Sequence, residues 1–154
     1  MNVWFRRLLL LLTIGGGFTG LAVAVGALFT LHEPSWIQYA ILGLFIALYS
    51  YGIFIGIRLS EGSTPIWHLL FYFALQVPFI SSPLFVYRFC SGLQATIAIV
   101  GIGLGWDCRF GSEFQLVILS SAPFGGGINL VALIVVFILC SPVFHSTDDA
   151  PAQA

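Results

Sequence analysis

The sequence predicts an all-α integral membrane protein with four transmembrane helices and a small antiparallel β meander outside the membrane between helices 3 and 4. Two observations support this fold class. The 154 residues are 59% hydrophobic and only 7% charged, whereas soluble domains usually carry about 25% charged residues. The charged residues also leave four long uncharged runs, and each run exceeds the roughly 20 residues that a helix needs to cross a bilayer.

The first helix is predicted over residues 8–31, where a long apolar run follows Arg6 and Arg7. Positively charged residues flank membrane helices on the cytoplasmic side, so the N-terminus is expected in the cytoplasm. A signal peptide is the alternative, with residues 22–24 as a weak match to a cleavage site. A membrane helix is preferred because the apolar run is long for a signal peptide.

The second helix is predicted over residues 35–57. Pro34 cannot continue a helix, and the hydroxyl of Ser35 is suited to cap the first turn of the helix that follows. Residues 32–34 are therefore expected to form a short turn outside the cell. Arg58 comes directly after the helix and is expected on the cytoplasmic side.

Both helices carry small residues at four-residue spacing, which places them on one helix face and lets a neighbouring helix approach closely. We expect these residues to mediate helix packing. They are Gly16, Gly20 and Ala24 in the first helix, and Gly52 and Gly56 in the second.

The third and fourth helices are predicted over residues 65–80 and 124–141. Pro65 is suited to the first position of a helix, and Pro78 is expected to kink or end the third helix. The fourth helix is expected to begin after Pro123 and three consecutive glycines. The polar tail over residues 145–154 is expected to be disordered.

Four polar residues form the candidate site within the membrane. His68, Tyr72 and Gln76 recur every four residues on the third helix and so share one face, and Asn129 is expected in the first turn of the fourth. Polar side chains within membrane helices usually face protein or water. This polar stripe predicts either interhelical hydrogen bonds or the lining of a small polar pathway.

Residues 94–121 do not resemble a membrane helix. In the second half of residues 96–110, apolar residues alternate with polar residues or glycine. This alternation has the period of a strand. Gly111-Ser112 is predicted to form a tight hairpin turn before a second strand. With a strand over residues 84–89, a β excursion over about residues 84–120 is expected. Its candidate partner or lipid surface is Leu104, Trp106, Phe110 and Phe114.

A fifth membrane helix over residues 89–106 is the alternative fold. This run contains 18 uncharged residues, which is near the lower limit for crossing a bilayer. Glycines at positions 101, 103 and 105 argue against it, since each glycine inside a helix costs about 1 kcal/mol relative to alanine.

The sequence lacks the signatures of several chemistries. The three cysteines are isolated, whereas thiol–disulfide exchange usually needs a closely spaced pair. The three histidines are expected at different depths, which does not suit haem ligation. No basic cluster is present for nucleic acid. We therefore expect no cofactor, no metal site and no nucleic-acid partner.

The remaining class is an interaction protein. We expect a non-catalytic accessory, assembly or stabilising subunit of a larger complex, with other membrane subunits and lipids as partners. The alternative is a small homo-oligomeric channel or transporter that uses the polar stripe on helix 3. The expected location is the cell membrane, as a multi-pass protein of the bacterial inner membrane.

Overall fold

The computed structural model describes residues 3–30, 35–63 and 65–141, and these residues form four helices and a six-stranded antiparallel sheet. The helices are α1 Val3–Thr30, α2 Trp36–Ser60, α3 Ile66–Ala74 and α4 Leu130–Cys140. The strands are β1 Pro78–Ser81, β2 Phe85–Cys90, β3 Leu93–Val100, β4 Gly103–Phe110, β5 Glu113–Ile118 and β6 Gly125–Asn129. The predicted turn at residues 32–34 and the predicted disordered tail at residues 145–154 lie outside the described residues.

The prediction of an all-α protein with four transmembrane helices is wrong. Strands make up 28% of the described residues, and among the described helices only α1 and α2 are long and apolar enough to span a membrane. The predicted third helix ends at Ala74, and Pro78 begins β1 instead of kinking a helix. The predicted fourth helix begins only at Leu130, because residues 125–129 form β6. Buried strands produce continuous apolar runs that composition alone does not separate from helices.

Helices α1 and α2 pack side by side and run in opposite directions. The guanidinium of Arg6 donates hydrogen bonds to the carbonyls of Leu59, at 3.1 Å, and Ser60, at 2.7 Å, so the start of α1 lies beside the end of α2. The predicted N-cap of α2 is confirmed: the Ser35 side chain accepts from the Gln38 amide, and the Gln38 side chain accepts from the Ser35 amide. This reciprocal arrangement satisfies two amides at the helix start.

Strands β2 to β5 form one long hairpin that is bent in the middle. The inner strand consists of β2 and β3, the outer strand consists of β5 and β4, and the register continues through the bend without an inserted residue. The defining pairs are Phe85 with Ile118, Cys90 with Glu113, Leu93 with Phe110, and Val100 with Gly103. The bend falls at residues 91–92 and 111–112.

The hairpin turn is therefore not at Gly111-Ser112, as the sequence predicted, but at residues 101–102. Gly101 has a φ of +61°, a conformation that glycine adopts at little cost. The predicted single strand and the alternative fifth helix are both wrong, because the chain reverses direction there. Strands β1 and β6 pair with each other and lie between the two halves, giving the order β4-β3-β6-β1-β2-β5.

The bend docks against a π-helical turn in α1 at Leu11–Gly15. The Gly16 amide donates to the carbonyl of Leu11, five residues earlier, which leaves the Leu12 carbonyl open to another donor. The Ser91 hydroxyl donates to Leu12 O at 3.1 Å, and the Ser112 hydroxyl donates to Gly16 O at 2.6 Å. These bonds fix the sheet to the middle of α1.

Gly16 allows this close approach, and its replacement provides a test. A Cβ at position 16 would lie 2.5 Å from the Gly92 amide nitrogen, so Gly16→Ala should lower the free energy of unfolding by about 1–3 kcal/mol, as overpacking does. Gly26→Ala is the matched control in the same helix, because a Cβ there meets nothing within 4 Å. Thermal unfolding in one detergent would compare them, and equal midpoints would contradict the docking.

Candidate functional site

Arg88 joins the two halves of the bent hairpin. It lies on β2, and its guanidinium donates to Asp107 on β4 at 3.1 Å and to Glu113 on β5 at 3.3 Å. Its side chain is 17% exposed, and the guanidinium carbon lies 5.5 Å from the centre of the Phe79 ring. A mostly buried guanidinium that donates to two carboxylates holds the halves at a fixed angle.

Two further contacts extend this polar cluster. The side-chain amide of Gln94 donates to the Glu113 carboxylate at 2.9 Å, and Arg109 Nε donates to the Asp107 carboxylate at 2.9 Å. Partial desolvation raises the pKa of the Asp107 carboxyl, but the hydrogen bonds from Arg109 and Arg88 outweigh it, so the net pKa lies below its ordinary value.

The cluster borders an open cleft of about 330 Å³, a volume within the range of small-molecule sites. Its lining is Phe79, Arg88, Thr96, Ala98, Gly105, Trp106, Asp107 and Arg109. The two arginines in the cleft contact two carboxylates, Asp107 and Glu113. The cleft therefore carries little unbalanced charge with which to select an ionic ligand.

The structure brings together two residues of the predicted polar stripe. Gln76 and Asn129 line a cavity of about 10 Å³ beside Arg88. The Gln76 side-chain oxygen accepts from the Ser91 amide at 2.9 Å, and the Asn129 side-chain oxygen accepts from the Ala95 and Val131 amides, both at 3.2 Å. Both side chains therefore satisfy backbone amides where the sheet meets the helices.

The other two residues of the stripe, both on α3, do not line this cavity. His68, in the first turn of α3, has its Nδ1 2.6 Å from the Tyr51 hydroxyl. Tyr72 is fully buried and packs over Gly52, where a Cβ would overlap its ring. Gln76 falls beyond the end of α3 at Ala74, so only two of the three residues predicted to share a face of this helix lie within it.

The five residues expected to mediate helix packing are all buried, but they face different neighbours. Gly16 faces the bend, Gly20 the Tyr49 ring, Gly52 the Tyr72 ring and Gly56 the side chains of Thr13 and Ile14; Ala24 is 0% exposed. Two of these contacts, at Gly16 and Gly52, are made to the sheet and to α3 rather than between α1 and α2.

The predicted partner or lipid surface is divided by the structure. Leu104, Trp106 and Phe110 are 75%, 83% and 75% exposed. Phe114 instead packs inward, with its ring centre 4.6 Å from that of Phe45. Ile99 and Ile97, which the sequence analysis missed, lie opposite Leu104 and Trp106. We define the outer face as Ile97, Ile99, Leu104, Trp106, Cys108 and Phe110.

The outer face borders a free strand edge. Strand β4 pairs only with β3 among the described strands and ends the sheet on that side. Its outward amides and carbonyls therefore have no strand partner in the described part of the chain. Such an edge can bind another strand unless it is covered.

Comparison of the chain with family models, curated proteins and solved structures found no match. Within the described ranges, no three His, Cys, Asp or Glu side chains lie close enough together to hold a metal ion. The features that point to a function are therefore the outer face, the strand edge and the polar cluster.

The role of Arg88 can be tested by comparing two arginine variants. Arg88→Gln should lower the free energy of unfolding by about 2 kcal/mol, because it removes charged hydrogen bonds from a mostly buried side chain. Arg109→Gln should change stability little, since Arg109 is 62% exposed and surface ion pairs contribute little. Chemical denaturation in detergent would measure both, and a larger loss for Arg109→Gln would refute the assignment.

The lowered pKa of Asp107 predicts how stability changes with pH. Its ion pairs contribute fully above the pKa of the unfolded chain, and the contribution is lost as pH falls through the lower pKa of the folded chain. Thermal midpoints of the wild type and Asp107→Asn should therefore converge on acidification. A difference between them that stays constant with pH would exclude this linkage.

Proposed function

We propose that the chain is a non-catalytic accessory subunit of a membrane protein complex, and that it offers the outer face and the β4 edge to a partner subunit. The observation that carries this proposal is the coincidence of the two features on one strand. Apolar side chains with exposed fractions of 75% and more lie on β4, and the same strand ends the sheet. Large exposed apolar patches are typical of protein or membrane interaction sites.

Two helices support a membrane location. They cover 28 and 25 residues with mean hydropathies of 2.2 and 2.1, and only 39% and 33% of their apolar windows are buried inside the protein. Core helices of soluble proteins are mostly buried, so the apolar surface of α1 and α2 suits lipid better than water. We therefore propose that both helices cross the membrane.

The positions of the arginines support an orientation. The contact between Arg6 and the end of α2 places Arg6, Arg7 and Arg58 at the same end of the helix pair. The positive-inside rule then favours a cytoplasmic N-terminus, as in a protein of the bacterial inner membrane.

The proposed membrane placement of α1 and α2 determines how deep the bend of the hairpin lies in the bilayer. Helices α3 and α4 have 9 and 11 residues, about 14 and 17 Å at 1.5 Å per residue, which is too short for a hydrocarbon core of about 30 Å. The bend contacts α1 near its middle, at Leu12 and Gly16, and α2 through the Tyr49 hydroxyl, which donates to Cys90 O at 3.2 Å. The bend therefore lies at the level of the bilayer core.

A protein partner suits the β4 edge better than lipid does, because β4 ends at Phe110, directly before the bend. Non-helical backbone within a membrane must be covered by protein or face water, because lipid tails offer no hydrogen bonds. The inner strand of the hairpin is covered by β1, β6 and the helices, whereas the β4 edge has no described partner. A partner strand or helix would cover the edge and the apolar side chains together.

A channel formed by several copies is the second candidate. The observation in its favour is the polar cavity beside Gln76, Asn129 and Arg88. At about 10 Å³ this cavity has room for about one water molecule, and neither His68 nor Tyr72 lines it. A continuous pathway would need a rearrangement of α3, so the accessory role has the stronger support.

The native cysteine on the outer face allows a direct test. Cys108 and Cys140 are exposed and Cys90 is buried, so Cys140→Ser leaves one exposed thiol. A maleimide photocrosslinker attached to Cys108 in native membranes should give one discrete protein adduct, identified by mass spectrometry. An adduct with a second copy of the chain would support the homo-oligomer, and adducts with lipid alone would overturn the accessory role.

A second crosslinking position controls for accidental contacts in the membrane. Phe29, near the end of α1, is 84% exposed and lies outside the outer face. Phe29→Cys, in a chain that also carries Cys108→Ser and Cys140→Ser, should not give the adduct found at Cys108. The same adduct from both positions would show that crowding, rather than the outer face, produced it.

A further inference from the structure

A second pocket lies between the end of α2 and the start of α3, far along the chain from the outer face. It has a volume of about 270 Å³ and is lined by Phe54, Ile55, Arg58, Pro65 and His68. The pocket belongs to the arginine-bearing end of the helix pair, where Arg6 contacts Leu59 and Ser60. In the proposed membrane placement this end lies at the cytoplasmic interface.

The positive charge in this pocket is not balanced by a described carboxylate. The three ion pairs among the described residues involve only the arginines at 88 and 109. Arg58 is exposed, and its guanidinium carbon lies 5.7 Å from the centre of the Phe54 ring. Contact with the ring holds the guanidinium near the pocket and leaves its N–H groups available to an anion.

The imidazole of His68 is held in place from two sides. The Tyr51 hydroxyl lies 2.6 Å from Nδ1, and the Trp67 ring stacks on the imidazole with centres 4.2 Å apart. When the tyrosine donates to Nδ1, the proton of a neutral imidazole is on Nε2, which is then a donor. In this tautomer His68 has an N–H donor, and His68 lines the same pocket as Arg58.

The start of α3 adds a third favourable feature for an anion. Pro65 is the N-cap residue, and none of the described side chains caps the helix. The first amides of a helix have no partner within the helix, and the helix dipole places positive potential at this end. Phosphate groups commonly bind at such helix starts.

We propose that this pocket binds the phosphate group of an anionic phospholipid. Arg58, His68 and the start of α3 recognise the phosphate, while Phe54, which is 52% exposed, contacts the apolar part of the lipid. Basic pockets between membrane helices on the cytoplasmic side bind such head groups. The inference rests on the membrane placement proposed above but not on the partner at the outer face.

The test compares two lipids with the same acyl chains on the full-length protein in mild detergent. Native mass spectrometry would count the phosphatidylglycerol and phosphatidylcholine molecules that remain bound. We expect the wild type to retain phosphatidylglycerol preferentially. Arg58→Gln should weaken its binding about five- to tenfold, the effect of losing one cation near a phosphate. His68→Gln should weaken it in the same direction.

Arg109→Gln is the matched control, because it also removes one exposed arginine but leaves the pocket intact. Equal weakening by Arg109→Gln, or no weakening by Arg58→Gln, would overturn the site. Inorganic phosphate as competitor distinguishes the source of the phosphate group. Displacement of phosphatidylglycerol only by other anionic lipids supports a lipid ligand, whereas equally strong binding of inorganic phosphate alone would refute it.

The two experiments can reject the accessory role and the phosphate site independently of each other. Loss of phosphatidylglycerol binding in Arg58→Gln should leave the crosslinked adduct at Cys108 unchanged. Absence of a protein adduct at Cys108, with lipid selectivity intact, would reject the accessory role and retain the phosphate site.

Discussion

The docking of the hairpin bend on α1 is the contact on which the rest of the structure depends. The π-helical turn leaves the Leu12 carbonyl without its usual partner, and the Ser91 hydroxyl supplies one. Gly16 then lets the backbone of the bend approach within contact distance of the helix. An apolar environment makes each unsatisfied carbonyl costly, so the helix irregularity and the serine at the bend stabilise each other. If the bend were displaced, both the open carbonyl and the hydroxyl would lose their partner.

Once the bend is fixed, the angle between the two hairpin halves follows from the polar residues that face each other across it. Arg88 spans the gap because it contacts carboxylates on both β4 and β5. Strands β1 and β6 fill the remaining width of the sheet, and Asn129 and Gln76 bind amides where these strands meet the helices. Polar side chains that a membrane helix would direct into a pathway are used here to join sheet and helices. This explains why a polar stripe in the sequence need not indicate transport.

The sequence was sufficient for α1, for α2 and for the Ser35 cap, because long apolar runs and capping residues are local signals. It was insufficient where two interpretations share one local signal. Gly101-Ile102 and Gly111-Ser112 are both glycine-containing dipeptides between strand-like runs, and only the contact of the second with α1 makes it a bend rather than a turn. Strand β1 was missed because it continues the apolar sequence of α3, and β6 was missed because its three glycines lie directly before the apolar run of α4. Arg88 was missed because its two partners lie 19 and 25 residues away on other strands.

The two proposed surfaces occur where the internal pairing of the fold ends. Within the described residues, the buried polar atoms of the side chains have hydrogen-bond partners, with Tyr72 Oη and Arg88 Nε as the exceptions. The β4 edge and Arg58 differ, because each presents strong hydrogen-bonding groups at the surface without a described partner. A membrane offers a different complement to each: lipid tails cannot pair with a strand edge, but lipid phosphates at the interface can pair with a guanidinium. Under the membrane placement proposed above, depth in the bilayer assigns the strand edge to protein and the guanidinium to lipid.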